Sequence, residues 1–200
     1  MIAGLVLAAG AAERFGAPKQ LAELAGRPLL EHALRSMAAA SLDRFVVVLG
    51  ARAEEIRGRV DLDRWEVVVC RDWAEGQAAS LRAGVSALAE ADAVVVTLGD
   101  QPRVSPAAID RVVAARGGEM LAVRASYGGT PGHPVLLERP LFGAVRVLRG
   151  DAGARGLLED VRVRDVPCDG LGEPSDVDTP EELERLRSGV ARAAGAAGPA

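Results

Sequence analysis

The sequence predicts an α/β protein: a three-layer, doubly wound and mostly parallel sheet with helices on both faces. Two observations carry that expectation. The apolar runs at residues 2–7, 45–49 and 93–98 are hydrophobic at nearly every position, as strands covered on both faces must be. Between them, apolar residues recur at helical spacing, as in Leu30, Leu34 and Met37, or Leu81, Val85 and Leu88, so strands alternate with helices.

The elements follow in order. Residues 2–7 form the first strand and end abruptly at Ala8, Ala9 and Gly10. Residues 20–24 read as a short extended piece turning at Gly26 and Arg27, with Pro28 as a first helical residue because its missing N–H costs nothing there. Residues 45–49 complete a strand–helix–strand unit. A charged surface helix at 53–60, a strand at 65–70, a helix at 77–88 and a buried strand at 93–98 repeat it. Pro106 opens a helix that turns Ile109, Val112 and Val113 inward. Residues 120–123 read as a sixth strand or edge piece, and the glycine- and proline-rich stretch 126–134 as a mobile loop beside the site. Short helices at 141–148 and 153–159 and a strand at 161–166 follow. Thr179-Pro180-Glu181-Glu182 is a capping box that starts a last helix. Residues 1–188 are expected to form one domain and 189–200 a frayed tail.

Composition narrows the function. Aromatic residues are 3% of a 200-residue chain whose net charge is −4, so neither base stacking on aromatic platforms nor a basic face for a phosphate backbone is available. Nucleic acid is excluded as a partner. Cys70 and Cys168 are far apart with no histidine beside them, which indicates neither a disulfide framework nor a zinc site and fits a reducing cytoplasm. The apolar start lacks a preceding basic residue and is too short to cross a bilayer, so no membrane partner is expected.

Residues 5–19 are the stretch the rest serves. Small residues at Ala8, Ala9 and Gly10 let a ligand approach the backbone, Gly10 and Gly16 let the chain curl so that N–H groups point at phosphate oxygens, and Arg14 and Lys19 add full charges. A Walker A loop would need Gly-Lys before Ser or Thr, and a dinucleotide fingerprint closer glycines; neither is present. Of 24 Lys and Arg residues, Lys19 is the one lysine. Its compact point charge differs from arginine's planar fork, which marks a specific contact, although a solvated loop lysine is the plainer reading. The strand ends at Ala8 and Asp100 and the segment before Ser80 can share one rim of such a sheet.

Leu-Ala-Ala-Gly-x3-Arg-Phe-Gly-x2-Lys-Gln-Leu, Gly76-x3-Ser80, Gly99-Asp100-Gln101-Pro102, Gly132-His133-Pro134 and Asp176-Val177-Asp178-Thr179-Pro180 together resemble the molybdenum cofactor cytidylyltransferases and their guanylyltransferase relatives. The resemblance implies a Rossmann-like nucleotidyltransferase fold and transfer of a nucleotidyl group from CTP, or GTP, to the terminal phosphate of a molybdopterin-type acceptor, with pyrophosphate leaving. It implies nucleotide contacts at Leu7, Ala8, Ala9, Gly10, Arg14, Lys19, Gly76, Ser80 and Gly99, and catalytic roles for Arg14, Lys19 and Asp100. Asp100 and Asp178 would hold Mg²⁺ or Mn²⁺, which suits a cation that prefers one or two carboxylates plus phosphates and water. Gln101, His133 and Asp176 would border the acceptor. Asp176 and Asp178 have a second reading as carboxylates favoured near a helix start. Ala9, where guanylyltransferases commonly have glycine, would narrow the space over the base and favour a pyrimidine. A molybdoenzyme or its maturation chaperone is the implied protein partner. Two alternatives stand: another phosphorylated acceptor, and a nucleotide-binding chaperone without turnover.

Overall fold

The computed structural model describes residues 1–196. Its seven-stranded sheet has the order β5 (Glu66–Val69), β4 (Arg44–Leu49), β1 (Ile2–Ala8), β6 (Ala93–Leu98), β8 (Thr130–Glu138), β7 (Ala122–Tyr127) and β9 (Val163–Pro167). Neighbours pair in parallel everywhere except at β8, which runs antiparallel to both β6 and β7. From β1 the chain steps outward to β4 and β5, then returns to the other side of β1 as β6. The loops leaving β1 and β6 therefore diverge and open a crevice beyond the strands' carboxyl ends, where sheets of this kind bind ligands.

Helices cover both faces because the strands alternate two apolar sets. Leu5, Leu7, Val46, Val48, Val94 and Val96 point to the face covered by α3 (Gln77–Ala87), α5 (Phe142–Val147) and α6 (Gly153–Leu158), meeting Leu81, Val85 and Phe142. Val6, Val47, Leu49 and Val95 point to the other face, where α1 (Leu29–Ala38), α2 (Ala53–Arg57) and α4 (Pro106–Ala114) bring Leu34, Met37, Ile56 and Ile109. Burying each of these side chains stabilises the fold by roughly 1.5–3 kcal/mol. α3 lies close on β1 because it has Gly84 at the crossing: a Cβ there would be 2.5 Å from a Leu5 methyl. A smaller cluster of Leu24, Leu29, Val177 and Leu183 seats α7 (Pro180–Ala196) on the two-stranded ribbon of β2 (Glu23–Leu24) and β3 (Arg27–Pro28).

Several elements depart from the sequence reading. The expected mobile loop at 126–134 is instead a hairpin, with Ser126 and Tyr127 in β7 and Thr130 through Pro134 in β8. Gly128 and Gly129, at φ 57° and 78°, make its turn, and the ladder between Val123–Leu136 and Tyr127–Thr130 accepts the prolines by a register shift after Arg124. The sixth strand accordingly runs to Tyr127, well past residue 123. Pro28 ends β3 with extended backbone, so α1 begins one residue later than expected. α2 ends at Arg57, although the Val60 N–H still bonds the Ile56 carbonyl at 3.0 Å. α7 continues to Ala196, into the stretch 189–200 expected to fray; residues 197–200 lie outside those described.

Candidate active site

The crevice is a cavity of about 510 Å³ at the carboxyl ends of β1 and β6. Leu7, Ala8, Ala9, Gly10, Arg14, Lys19, Gly76, Ser80, Gly99, Asp100 and Asp178, the eleven nucleotide and metal positions expected from sequence, all line it. The loop after β1 is shaped by Gln20, which is buried and donates from its amide to the Ala8 carbonyl at 3.1 Å and the Gly10 carbonyl at 2.9 Å. That pulls the carbonyls inward. The N–H groups of Gly10, Ala11 and Ala12 make no backbone hydrogen bond among the described residues, and Ala12 is held at φ 57°, φ of the left-handed kind. Such curled backbone is a concavity of donors suited to an anion.

Beside it lies a charge cluster. Lys19 Nζ sits 2.7 Å from Asp100 Oδ2 and 2.7 Å from Asp178 Oδ1, so the two carboxylates flank one ammonium. Arg14 Nη2 lies 2.7 Å from the other oxygen of Asp178. Asp100 is in place because it directly follows β6 and Gly99, whose absent side chain leaves the turn against Ala8, where a Cβ would be 2.9 Å away. Asp178 comes from a remote segment by two anchors. Val177 is buried with Leu24 and Leu29, and its N–H bonds the Asp100 carbonyl at 3.0 Å. Val177 turns into the core, and the acids on either side of it point away from it: Asp178 reaches Lys19 and Asp176 reaches Gln101.

The capping hydrogen bonds at the start of α7 are made by the neighbours of Asp178. Thr179 Oγ1 accepts from the Glu182 N–H at 3.3 Å, and Glu182 Oε2 accepts from the Thr179 and Asp178 N–H groups at 3.0 and 2.7 Å, which closes the capping box. The Asp178 carboxylate is thus free of capping duty.

Burial pulls the Lys19 ammonium down, but the charges and hydrogen bonds of Asp100 and Asp178 more than offset this, and its pKa stands above the usual lysine value. The Lys19 hydrogen bond, aided by the charges of Lys19 and Arg14, holds Asp178 below the usual carboxylate range. Asp176 is pushed up by burial and by the Asp100 charge. Thr97 Oγ1, Asp100 Oδ1 and Gln101 Oε1 are buried side-chain oxygens without a hydrogen-bond partner, all around the end of β6.

The three expected acceptor residues fall beside the cavity rather than on its wall. Gln101 donates to Asp176 Oδ1 at 2.6 Å and to the Pro174 carbonyl at 2.9 Å, tying the 174–178 segment to β6. His133 stands in β8, where burial lowers its imidazole to about 4 against the pull of the Asp100 charge, so it is neutral near pH 7. It therefore offers hydrogen bonds and no positive charge to a phosphate. Ala9 also differs from expectation: the residue is 4% exposed and belongs to the core cluster beneath α3, so its methyl is turned mainly into the core.

Sequence reasoning missed nine residues of the wall, among them Gln20, Trp73, Gln77 and Asp151. Gln20 follows Lys19 directly and was legible as part of the loop motif. Asp151 is more than seventy positions from Gly76 in the chain, and only the fold brings them together.

The description that matches residues 4–166 is that of a MobA-like NTP transferase domain. Nicotine blue oxidoreductase of Paenarthrobacter nicotinovorans is 36% identical over 92% of this chain and 96% of its own length. Purine catabolism protein PucB of Bacillus subtilis is 32% identical over 92% of this chain and 95% of its own. Among solved structures, Rv0371c of Mycobacterium tuberculosis superimposes with a TM-score of 0.84 at 37% identity, covering 94% of this chain and 97% of that one. A second structure of Rv0371c, described as a complex with manganese, gives 0.81 at 34%, covering 94% and 98%.

Proposed function

This chain belongs to the MobA-like NTP transferase family and is a nucleotidyltransferase, and we propose that it moves CMP from CTP to the terminal phosphate of a molybdopterin-type acceptor, releasing pyrophosphate. The observation that carries the reading is the Lys19 ammonium clasped between Asp100 and Asp178 beside an open donor loop. Bringing two anions together is the obstacle in such a transfer, so a site for it consists of positioned cations and donors rather than a nucleophile.

The donor set fits a divalent cation. Two carboxylates that already share one cation, and a buried Asp100 oxygen lacking a partner, suit a hard ion that takes its remaining ligands from water and phosphate. Asp100 and Asp178 would hold Mg²⁺, or Mn²⁺, the metal with which Rv0371c is described as a complex. When bound, the ion neutralises charge on the reacting phosphates. The N–H groups of Gly10 to Ala12 cradle the triphosphate, and Arg14 and Lys19 turn to the pyrophosphate end and stabilise its departure. Gly76 and Ser80 border the nucleoside, and the Gln101, His133 and Asp176 group faces the acceptor. We take residues 1–188 as the catalytic unit and the cytoplasm as its setting. No helix among the described residues is long and apolar enough to cross a membrane.

The test is pyrophosphate release from CTP, GTP, ATP and UTP in turn, with Mg²⁺ and Mo-molybdopterin. Turnover with CTP alone is expected. Turnover with GTP alone assigns the guanylyl reaction. Release that proceeds with a sugar phosphate and not with molybdopterin changes the acceptor, and tight CTP binding with no release in any mixture favours the chaperone reading.

A further inference from the structure

The charge cluster accounts for part of the cavity wall; another part comes from a segment that the reaction above does not use. Residues 150–153, Gly-Asp-Ala-Gly, form a tight turn in which Gly150 and Gly153 have φ 73° and 51°. The turn is pressed against the start of α3. A Cβ on Gly76 would lie 2.5 Å from Asp151 Oδ1 and 2.6 Å from the Gly150 carbonyl carbon, and one on Gly153 would lie 2.2 Å from Gln77 Oε1. Arg82, on the next turn of α3, fixes the approach by donating to the Leu148 carbonyl at 2.7 Å. The result is an exposed carboxylate, Asp151, on the wall of the same cavity as Lys19 and Asp100, beside Gly76 and Ser80.

A carboxylate there repels phosphate, so a triphosphate held by Arg14, Lys19 and the donor loop leaves its nucleoside end for Asp151. What a carboxylate accepts from a nucleoside is an N–H or O–H hydrogen. We infer that Asp151 is a specificity-determining residue that accepts a hydrogen bond from the amino group of the nucleobase. It thereby selects nucleotides that carry such a group over those with a carbonyl oxygen in its place. The inference rests on the nucleotidyltransferase reading of this cavity and adds to it the group that reads the base.

The test is equilibrium binding by calorimetry, with Mg²⁺, of two nucleotide pairs that differ in one amino group, CTP against UTP and GTP against ITP. These are measured for the wild type, Asp151→Ala and Asp151→Asn. The wild type should favour the amino member of the pair it binds by about 10- to 100-fold, the range for a hydrogen bond to a charged acceptor. Asp151→Ala should abolish that preference while leaving the carbonyl member within about 2-fold, since no charged-group bond to it existed to be lost. Asp151→Asn should shift preference toward UTP or ITP, because an amide can present N–H to the carbonyl oxygen. Loss of both members equally would overturn the inference and place Asp151 on the ribose or in the support of α3, the latter shown by a lowered melting temperature without nucleotide. An unchanged preference would overturn it outright. Failure of the wild type to bind any of the four nucleotides would instead sink the cytidylyl and guanylyl readings of this cavity.

Discussion

Lys19 is the residue on which the site turns, and its surroundings set two opposed expectations. As a charge on the leaving pyrophosphate, its loss should slow turnover by roughly 10²- to 10³-fold. Yet without nucleotide the same ammonium occupies the place between Asp100 and Asp178 that a divalent cation would take. Lys19→Ala should therefore bind Mn²⁺ more tightly than the wild type in the absence of nucleotide, as read by electron paramagnetic resonance. Weaker Mn²⁺ binding in Lys19→Ala would mean that the two acids are not the ligands. Asp100→Asn should keep the fold and lose both Mn²⁺ binding and pyrophosphate release.

His133 gives a pH signature. Its folded pKa, about 4, lies below the ordinary 6.5, so between those values the unfolded chain binds a proton that the folded chain excludes. Stability should then rise with pH from about 4 to 6.5 and level off above, by at most about 3.4 kcal/mol in total. His133→Gln should flatten that limb in urea unfolding curves collected across the range. A slope unchanged by the substitution would assign the acid limb to other groups.

Among the elements, α7 matters less for what it covers than for what its first turn holds. Glu182 Oε2 fixes Thr179 and Asp178 together, so Glu182→Ala should cost about 1 kcal/mol of stability and also weaken Mn²⁺ binding, because the Asp178 N–H loses its acceptor. A stability loss with Mn²⁺ affinity intact would separate the cap from the site.

The same scale shows what the sequence could and could not reveal. The almost wholly apolar strands β1, β4 and β6 and the capping box were legible because each is written in a few adjacent residues with one physical reading. The β7–β8 hairpin was not. Gly128, Gly129, Pro131, Gly132 and Pro134 spell a loop in local terms, and strand pairing with β7, in a strand that β6 also flanks from Val135 on, overrides them. Asp151 was invisible for a related reason: nothing near it in the chain signals the α3 turn it touches. Ala9 was placed correctly at the cavity but its methyl direction was not, since alternation along β1 and the approach of Gly50 decide which way it points.

At the scale of the whole molecule, the strand order does the assembling. Because β6 returns beside β1 while β4 and β5 lie on its far side, the loop after β1 and the acid after β6 open into one crevice. The hydrogen bond from the Val177 N–H to the Asp100 carbonyl adds a third segment, more than seventy residues on. No single stretch contains the site; the topology makes it. The claim at the centre is that these three segments converge to hold a divalent cation against a triphosphate. A crystal grown with Mn²⁺ and a non-hydrolysable CTP analogue, with anomalous scattering collected to locate manganese, tests it most directly. Manganese between Asp100 and Asp178, with Lys19 moved onto the phosphates, is the predicted result. Manganese elsewhere, with Lys19 still joined to both acids, would contradict it.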